Sequence, residues 1–259
     1  MRSIVSVLCV LLLSGLAPLQ AATAPVVLVT GSNRGLGLEF VKQYAGKGWT
    51  VIATVRDPST APELAALAAQ HRNITVEKLD VGNRAEIIAL AARYQGKPID
   101  VLLNNAGLLG DREKQGFKQL DYATFEEVLR VNTYAPLAMA QAFMPNVVAS
   151  EQKKIVTLTS GLSSIANTRR SADLYFYRVS KAGVNMAMHA LQSDVRDQGV
   201  KVGILAPGMV ETRLLRQSGY AGAAGVLSTE QSVAAVIRNI ENLNQDAEIV
   251  LYTGEKVPW

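Results

Sequence analysis

The chain has 259 residues, 49% apolar and 19% charged, with a net charge of +4, one cysteine and two histidines. That composition excludes a disordered chain, a disulfide scaffold and a Cys/His zinc site, so no metal is expected. The basic residues are scattered and form no dense Lys/Arg block, so no nucleic-acid partner is expected either.

Residues 1–24 read apart from the rest. Arg2 precedes an apolar run from Ile4 to Leu16, and small residues follow from Ala17 to Ala24. This is the layout of a secretory signal peptide, with cleavage after Ala21 or Ala22. An uncleaved anchor is the alternative, although the run is shorter than the ~20 residues of a spanning helix. The expectation is export to a periplasm or the exterior if the segment is cleaved, and membrane anchoring if it is retained. Membrane contact is expected through this segment only. Cys9 lies within it.

From Pro25 onward, short apolar runs alternate with helical patterns. Strands are expected at Val26–Thr30, Thr50–Val55, Ile74–Lys78, Val101–Asn104, Lys154–Thr159, Lys201–Leu205 and Glu248–Tyr252. Helices are expected at Leu36–Tyr44, Pro62–Gln70, Arg84–Tyr94, Phe125–Met144, Tyr177–Val195 and Thr229–Leu243. The alternation predicts an α/β fold, a doubly wound parallel sheet with helices on both faces. The strand runs are nearly continuous Val/Ile/Leu, as a sheet covered on both faces requires. No linker divides residues 25–259, which read as a single domain. Gly107–Gln119 and Leu214–Leu227 follow strand ends and read as binding loops.

The first strand runs into Thr30-Gly31-Ser32-Asn33-Arg34-Gly35-Leu36-Gly37 and then a helix. Glycines there allow a sharp turn and a close approach to a pyrophosphate, which the helix N-terminus attracts. An acidic residue at the end of the second strand would hold the ribose hydroxyls of NAD. Thr54 is the last position there with the right facing, and it is not acidic. Arg56 and Arg34 are placed to flank a 2′-phosphate instead, which favours NADP(H) over NAD(H). Asp57 is open to two readings: it serves NAD, or it caps a helix beginning near Pro58. Asp80-Val81 and Asn104-Asn105-Ala106-Gly107 end the third and fourth strands, which line the cofactor crevice in such a sheet. A buried Asn there can stitch neighbouring strands, and Gly107 leaves room for ribose.

Ser160 follows the fifth strand, and Tyr177-Arg178-Val179-Ser180-Lys181 opens a later helix. Tyr177 and Lys181 stand i, i+4 on one helix face. A nearby ammonium stabilises a phenolate, so Tyr177 is expected to exchange a proton with a carbonyl oxygen. Ser160 could bond the same oxygen. Asn132 could hold a water that connects Lys181 to solvent.

The set Thr30-Gly31-x-x-x-Gly35-x-Gly37, Asn104-Asn105-Ala106-Gly107, Asn132, Ser160, Tyr177-x-x-x-Lys181 and Pro207-Gly208 resembles the short-chain dehydrogenase/reductase family. The resemblance covers essentially everything after residue 24. Arg56-Asp57-Pro58 and the ending Gly254-Glu255-Lys256-Val257-Pro258-Trp259 resemble the C-factor and sniffer-type carbonyl reductase branch. The resemblance implies a Rossmann-type sheet of about seven strands. It implies Tyr177 as acid/base, Lys181 lowering its pKa and binding the nicotinamide ribose, Ser160 orienting the carbonyl and Asn132 supporting a proton relay. It assigns Gly31, Ser32, Arg34, Gly35, Leu36, Gly37, Arg56, Asp80, Val81, Asn105, Ala106 and Gly107 to the cofactor. Pro207, Gly208 and Thr212 would border the nicotinamide carboxamide, and Val210 would also contact the cofactor.

The chain departs from the pattern in two ways. The gap from Ser160 to Tyr177 is longer than usual, and the insertion Asn167–Asp173 is expected to bulge over the site. Thr159 leaves open which hydroxyl faces the substrate. The expected activity is NADPH-dependent reduction of a small-molecule carbonyl. The alternatives are a cofactor-binding signalling protein with little turnover, and a tethered lipid or steroid reductase whose stretch Tyr220–Val226 is a lid. The helices at 125–144 and 177–195 commonly build a four-helix interface in the family, so a homodimer or homotetramer is expected, with a monomer left open.

Overall fold

The computed structural model describes residues 23–168 and 173–259. The signal-peptide reading and most of the Asn167–Asp173 insertion therefore lie outside the described residues. Seven strands form one parallel sheet: β1 Val26–Thr30, β2 Thr50–Val55, β3 Ile74–Lys78, β4 Val101–Asn104, β5 Lys154–Leu158, β6 Lys201–Ala206 and β7 Ile249–Leu251. Their order is β3-β2-β1-β4-β5-β6-β7. The helices are α1 Gly35–Gly46, α2 Pro62–Gln70, α3 Arg84–Arg93, α4 Tyr122–Leu129, α5 Ala135–Val148, α6 Tyr175–Val195, α7 Arg213–Ser218 and α8 Thr229–Glu241.

Side chains alternate across the strands and divide the core into two apolar layers. Leu28, Leu102 and Ile155 face Ile87 of α3, Phe143 of α5 and Met188 of α6. Val27, Val29, Leu103 and Val156 face Phe40 of α1, Leu64 of α2 and Val236 of α8. Both faces of the central strands are thus dry, which is why those strands are largely apolar, whereas the edge strand β3 alternates through Thr75 and Glu77. Among the described residues, no helix is long and apolar enough to cross a membrane.

The structure departs from the expected elements in two places. The helix expected across 125–144 is interrupted by a π-helical turn at Arg130–Tyr134, where the Ala135 N–H donates to the Arg130 carbonyl. Such a turn adds one residue per bonded ring and leaves no mark on hydrophobic periodicity. The loop expected at 214–227 contains α7, a short polar helix capped by Thr212 and ended by Gly219 in the left-handed region (φ 82°).

The amino edge of the sheet is tied by one carboxylate. Asp100 accepts from the Val26 N–H at 2.8 Å and the Gln152 N–H at 3.2 Å, and its main chain bonds Val26 and Lys154. It is buried, so the Asp100→Ala variant strands two donors at the start of β1 and β5. We expect unfolding in urea to show a loss of about 1–3 kcal/mol, with the opposite edge of the sheet unchanged.

Candidate active site

At the carboxyl edge, Thr30 ends β1 and organises the turn into α1. Its hydroxyl accepts from the Asn105 and Ala106 N–H groups, each at 3.0 Å. The Asn105 side chain donates back to the Thr30 carbonyl at 2.7 Å and the Gly31 carbonyl at 3.1 Å. This clasp joins β1 to the end of β4. Gly37 sits inside it: a Cβ there would lie 2.1 Å from the Gly31 oxygen and 2.6 Å from Asn105 Nδ2. No side chain fits. Gly31 (φ 69°) and Gly35 (φ 55°) hold the left-handed conformations that make the turn. Arg34 occupies the N-cap of α1 without a side-chain cap bond, and the first turn contains no acidic residue. The amides at the start of α1 are therefore left to an external anion.

A cleft of about 900 Å³ opens beside this turn. Of the expected cofactor residues, all but Ser32 line it, as do Tyr177 and Lys181. Ser32 is fully buried and its hydroxyl donates to the Val29 carbonyl at 2.9 Å, so it shapes the loop from behind. Thr54 also departs from its expected facing. It does not line the cleft, and its hydroxyl is buried without a partner; Val55, Arg56 and Asp57 reach the cleft instead. Asp57 accepts from the Ser59 N–H at 2.9 Å and Ser59 Oγ at 2.6 Å, capping the short turn Pro58–Thr60. Those bonds hold its carboxyl below the usual range. Arg34 and Arg56 are exposed, line the cleft and, among the described residues, form no ion pair. Among the described residues no group of His, Cys, Asp and Glu is arranged to hold a metal.

The residues present fit a dinucleotide carrying a 2′-phosphate. The glycine turn is a cradle that a Cβ would fill, the helix amides lack partners, and unpaired cations flank the ribose end. Thr212, from the loop after β6, comes close to Gly35 and closes the other side. Gly208 (φ 84°) packs so tightly on Tyr252 that a Cβ would meet its ring at 2.8 Å.

Tyr177 lies in the first turn of α6 and Lys181 one turn on. Both are buried. Burial pushes the Tyr177 phenol up to about 12, and contact with the Ser160 hydroxyl works against this. Burial thus outweighs the lowering expected of Lys181, and the net shift of Tyr177 is upward. The ammonium donates to the Leu158 carbonyl at 2.8 Å and stands 5.9 Å from the Tyr177 ring centre. Burial also brings Lys181 down to about 8.

Ser160 and Thr159 separate cleanly. The Thr159 hydroxyl turns inward to Asn185 at 2.5 Å. Ser160 accepts from the Leu162 N–H at 3.1 Å and is the hydroxyl beside Tyr177, although it does not line the dinucleotide cleft. Asn132 sits in the π-helical turn, fully buried. Its amide bonds both main-chain groups of Leu108 at 2.8 Å and donates to Ser180 Oγ at 2.9 Å. It makes no bond to Lys181, whose ammonium donates to the Leu158 carbonyl instead. A Cβ on Gly107 would occupy the space between Asn132 Oδ1 (3.4 Å) and Lys181 Nζ (3.6 Å). The sequence reading did not single out Glu211 and Arg213, which also line the cleft, and it placed Leu214, which lines it too, at the start of a binding loop. Their position past a strand end was the available signal.

Comparison with known proteins gives a consistent picture. The short chain dehydrogenase family model matches residues 25–223. A 1-hydroxy-2-glutathionyl-2-methyl-3-butene dehydrogenase of Rhodococcus sp. (strain AD45) is 32% identical over 223 residues, covering 85% of this chain and 92% of that protein. The C-signal of Myxococcus xanthus is 33% identical over 174 residues, covering 66% of this chain and 99% of that protein. Among solved structures, the NADPH-bound carbonyl reductase from chicken fatty liver aligns with a TM-score of 0.83 at 30% identity, covering 91% of this chain and 99% of that one. The carbonyl reductase Sniffer of D. melanogaster aligns with a TM-score of 0.80 at 28% identity, covering 91% and 100%.

The buried ammonium has a consequence for stability. Lys181 binds its proton less tightly folded (about 8) than unfolded (10.5), so folding is disfavoured while both forms are charged. The cost is present at pH 7 and is relieved as pH rises from about 8 to 10.5. The lowering from 10.5 to about 8 corresponds to roughly 3–4 kcal/mol. Lys181→Met, lacking the charge, is expected to unfold at higher urea than the wild type at pH 7, with the gain fading towards pH 11.

Proposed function

Because this chain belongs to the short-chain dehydrogenase family, we propose that it is an NADP-dependent oxidoreductase that reduces a ketone or aldehyde, with Tyr177 as general acid. The observation that carries the reading is the position of Tyr177 and Lys181 beside Ser160 at the end of a cleft built for a phosphorylated dinucleotide. When bound, NADPH supplies the hydride. The amides of the glycine turn would hold its pyrophosphate and Arg34 and Arg56 its 2′-phosphate.

The chain's own residues do the rest. Tyr177, pushed up to about 12, keeps its proton at neutral pH and gives it to the carbonyl oxygen. Ser160 donates to the same oxygen and orients it. Lys181, still mostly protonated at pH 7, stabilises the phenolate that remains. Buried Leu109 and Leu174 pack against Tyr177 and exclude water, which strengthens these electrostatic effects. Asn132 fixes the loop at Leu108, and a relay through it would use the spare acceptor capacity of Oδ1 near Lys181.

The likeness to C-signal supports a second reading, cofactor binding in signalling with little turnover. Exposed Tyr134, Leu137, Val179 and Met186 on or beside α5 and α6 support self-association, which light scattering would register as a dimer or tetramer.

Tyr177→Phe is expected to reduce turnover of p-nitrobenzaldehyde by roughly 10²–10⁴-fold with NADPH affinity unchanged. A biological activity that survives this variant favours the signalling reading. The double variant Arg34→Ala/Arg56→Ala is expected to weaken NADPH binding by about 10–100-fold and to leave NADH binding unaltered. Equal loss for both cofactors would remove the phosphate assignment.

A further inference from the structure

α6 begins in an unusual way. Its N-cap is Leu174, which has no side-chain acceptor and sits in the left-handed region at φ 54°. Bulky residues rarely adopt that conformation. The Leu174 side chain is instead buried against Leu109 and Tyr177. The first intrahelical bond runs from the Arg178 N–H to the Leu174 carbonyl at 2.9 Å, so the three amides before it have no partner within the helix. One of them belongs to Tyr177.

That amide is satisfied from a distant loop. Gln115, in the segment between β4 and α4, is fully buried. Its Oε1 accepts from the Tyr177 N–H at 3.1 Å. Its Nε2 donates to the Leu109 carbonyl at 2.8 Å and the Asp111 carbonyl at 3.3 Å. Gly110 (φ 79°) lets the loop wrap around this amide: a Cβ there would meet Val128 at 2.8 Å and Gln115 Nε2 at 3.1 Å. One side chain therefore caps the helix that carries Tyr177 and folds the loop whose Leu109 packs on Tyr177.

We propose that Gln115 is a positioning residue that sets Tyr177 and the loop after β4 in a single arrangement. The proposal rests on the reading of Tyr177 as the proton donor. A carbonyl substrate that displaces Leu109 pulls directly on the amide that holds the Tyr177 backbone. Only an amide at this length supplies an acceptor to the helix and two donors to the loop together.

Two variants separate these contacts. Gln115→Met keeps the length and loses every bond. Gln115→Glu keeps an acceptor for the Tyr177 N–H and, protonated in this buried site, loses at least one of the two donors to the loop. Full-chain protein is compared by amide exchange at the Tyr177 N–H, by NADPH affinity and by turnover of p-nitrobenzaldehyde. For Gln115→Met we expect exchange about tenfold faster and kcat about tenfold lower, with NADPH affinity unchanged. For Gln115→Glu we expect kcat and exchange within about threefold of wild type, and KM raised about fivefold or more.

A folded Gln115→Met with wild-type kcat, or one that loses kcat with unchanged exchange at Tyr177, overturns the proposal. If Gln115→Met does not fold, Gln115→Glu decides: a fall in kcat without a rise in KM overturns it. Wild-type protein that binds NADPH and leaves the aldehyde unreduced contradicts the reductase reading and with it the positioning role. The exchange measurement then reports on the helix cap alone.

Discussion

Everything at this site depends on the reversal of strand order between β1 and β4. From β1 the sheet grows outward to β2 and β3, and from β4 it grows the other way through β5, β6 and β7. Helices α1, α2 and α8 cover one face while α3, α5 and α6 cover the other. The loops leaving β1 and β4 therefore part, and a crevice opens at their carboxyl ends. The clasp between Thr30 and Asn105 keeps that crevice at a fixed width. It also brings the glycine turn, Gly107 and the end of β5 within reach of one elongated ligand.

Within that frame the chemistry is set by burial. Tyr177 and Lys181 are both removed from water, and each is driven towards its neutral form. A neutral phenol is the form that can donate a proton. A lysine brought down to about 8 still carries charge at neutral pH, yet gives it up more readily than an exposed one. The fold tolerates the destabilising buried ammonium because it and the adjoining main chain are hydrogen-bonded. Leu158 accepts from Lys181, and Asn132 and Gln115 bond the backbone on either side.

The sheet was legible because most of its strands are nearly continuous β-branched and leucine runs separated by helix-length segments. The glycine turn was legible because a close approach of two backbones admits one residue type. Tyr177 and Lys181 were legible through their helical spacing. The features that escaped reading arise from long-range contact or from backbone detail. The π-helical turn at Arg130–Tyr134 preserves the apolar pattern of the helices around it. The facing of Thr54 depends on how β2 ends against the glycine turn, where its carbonyl takes the Ser32 N–H at 2.9 Å. The upward shift of Tyr177 comes from its burial in the folded chain, which i, i+4 spacing does not specify. Gln115 lies in a polar loop stretch that looks solvated, and only the folded chain shows its amide enclosed beneath α6.

The most direct test of the account follows the label from cofactor to product. NADPH deuterated at the transferable position would be incubated with the full chain and p-nitrobenzaldehyde, and the alcohol analysed by mass spectrometry and NMR. One deuterium on the carbinol carbon is expected for each NADPH oxidised, with the hydroxyl proton drawn from solvent. NADPH that binds in the cleft and is never oxidised, across a panel of aldehydes and ketones, would contradict it.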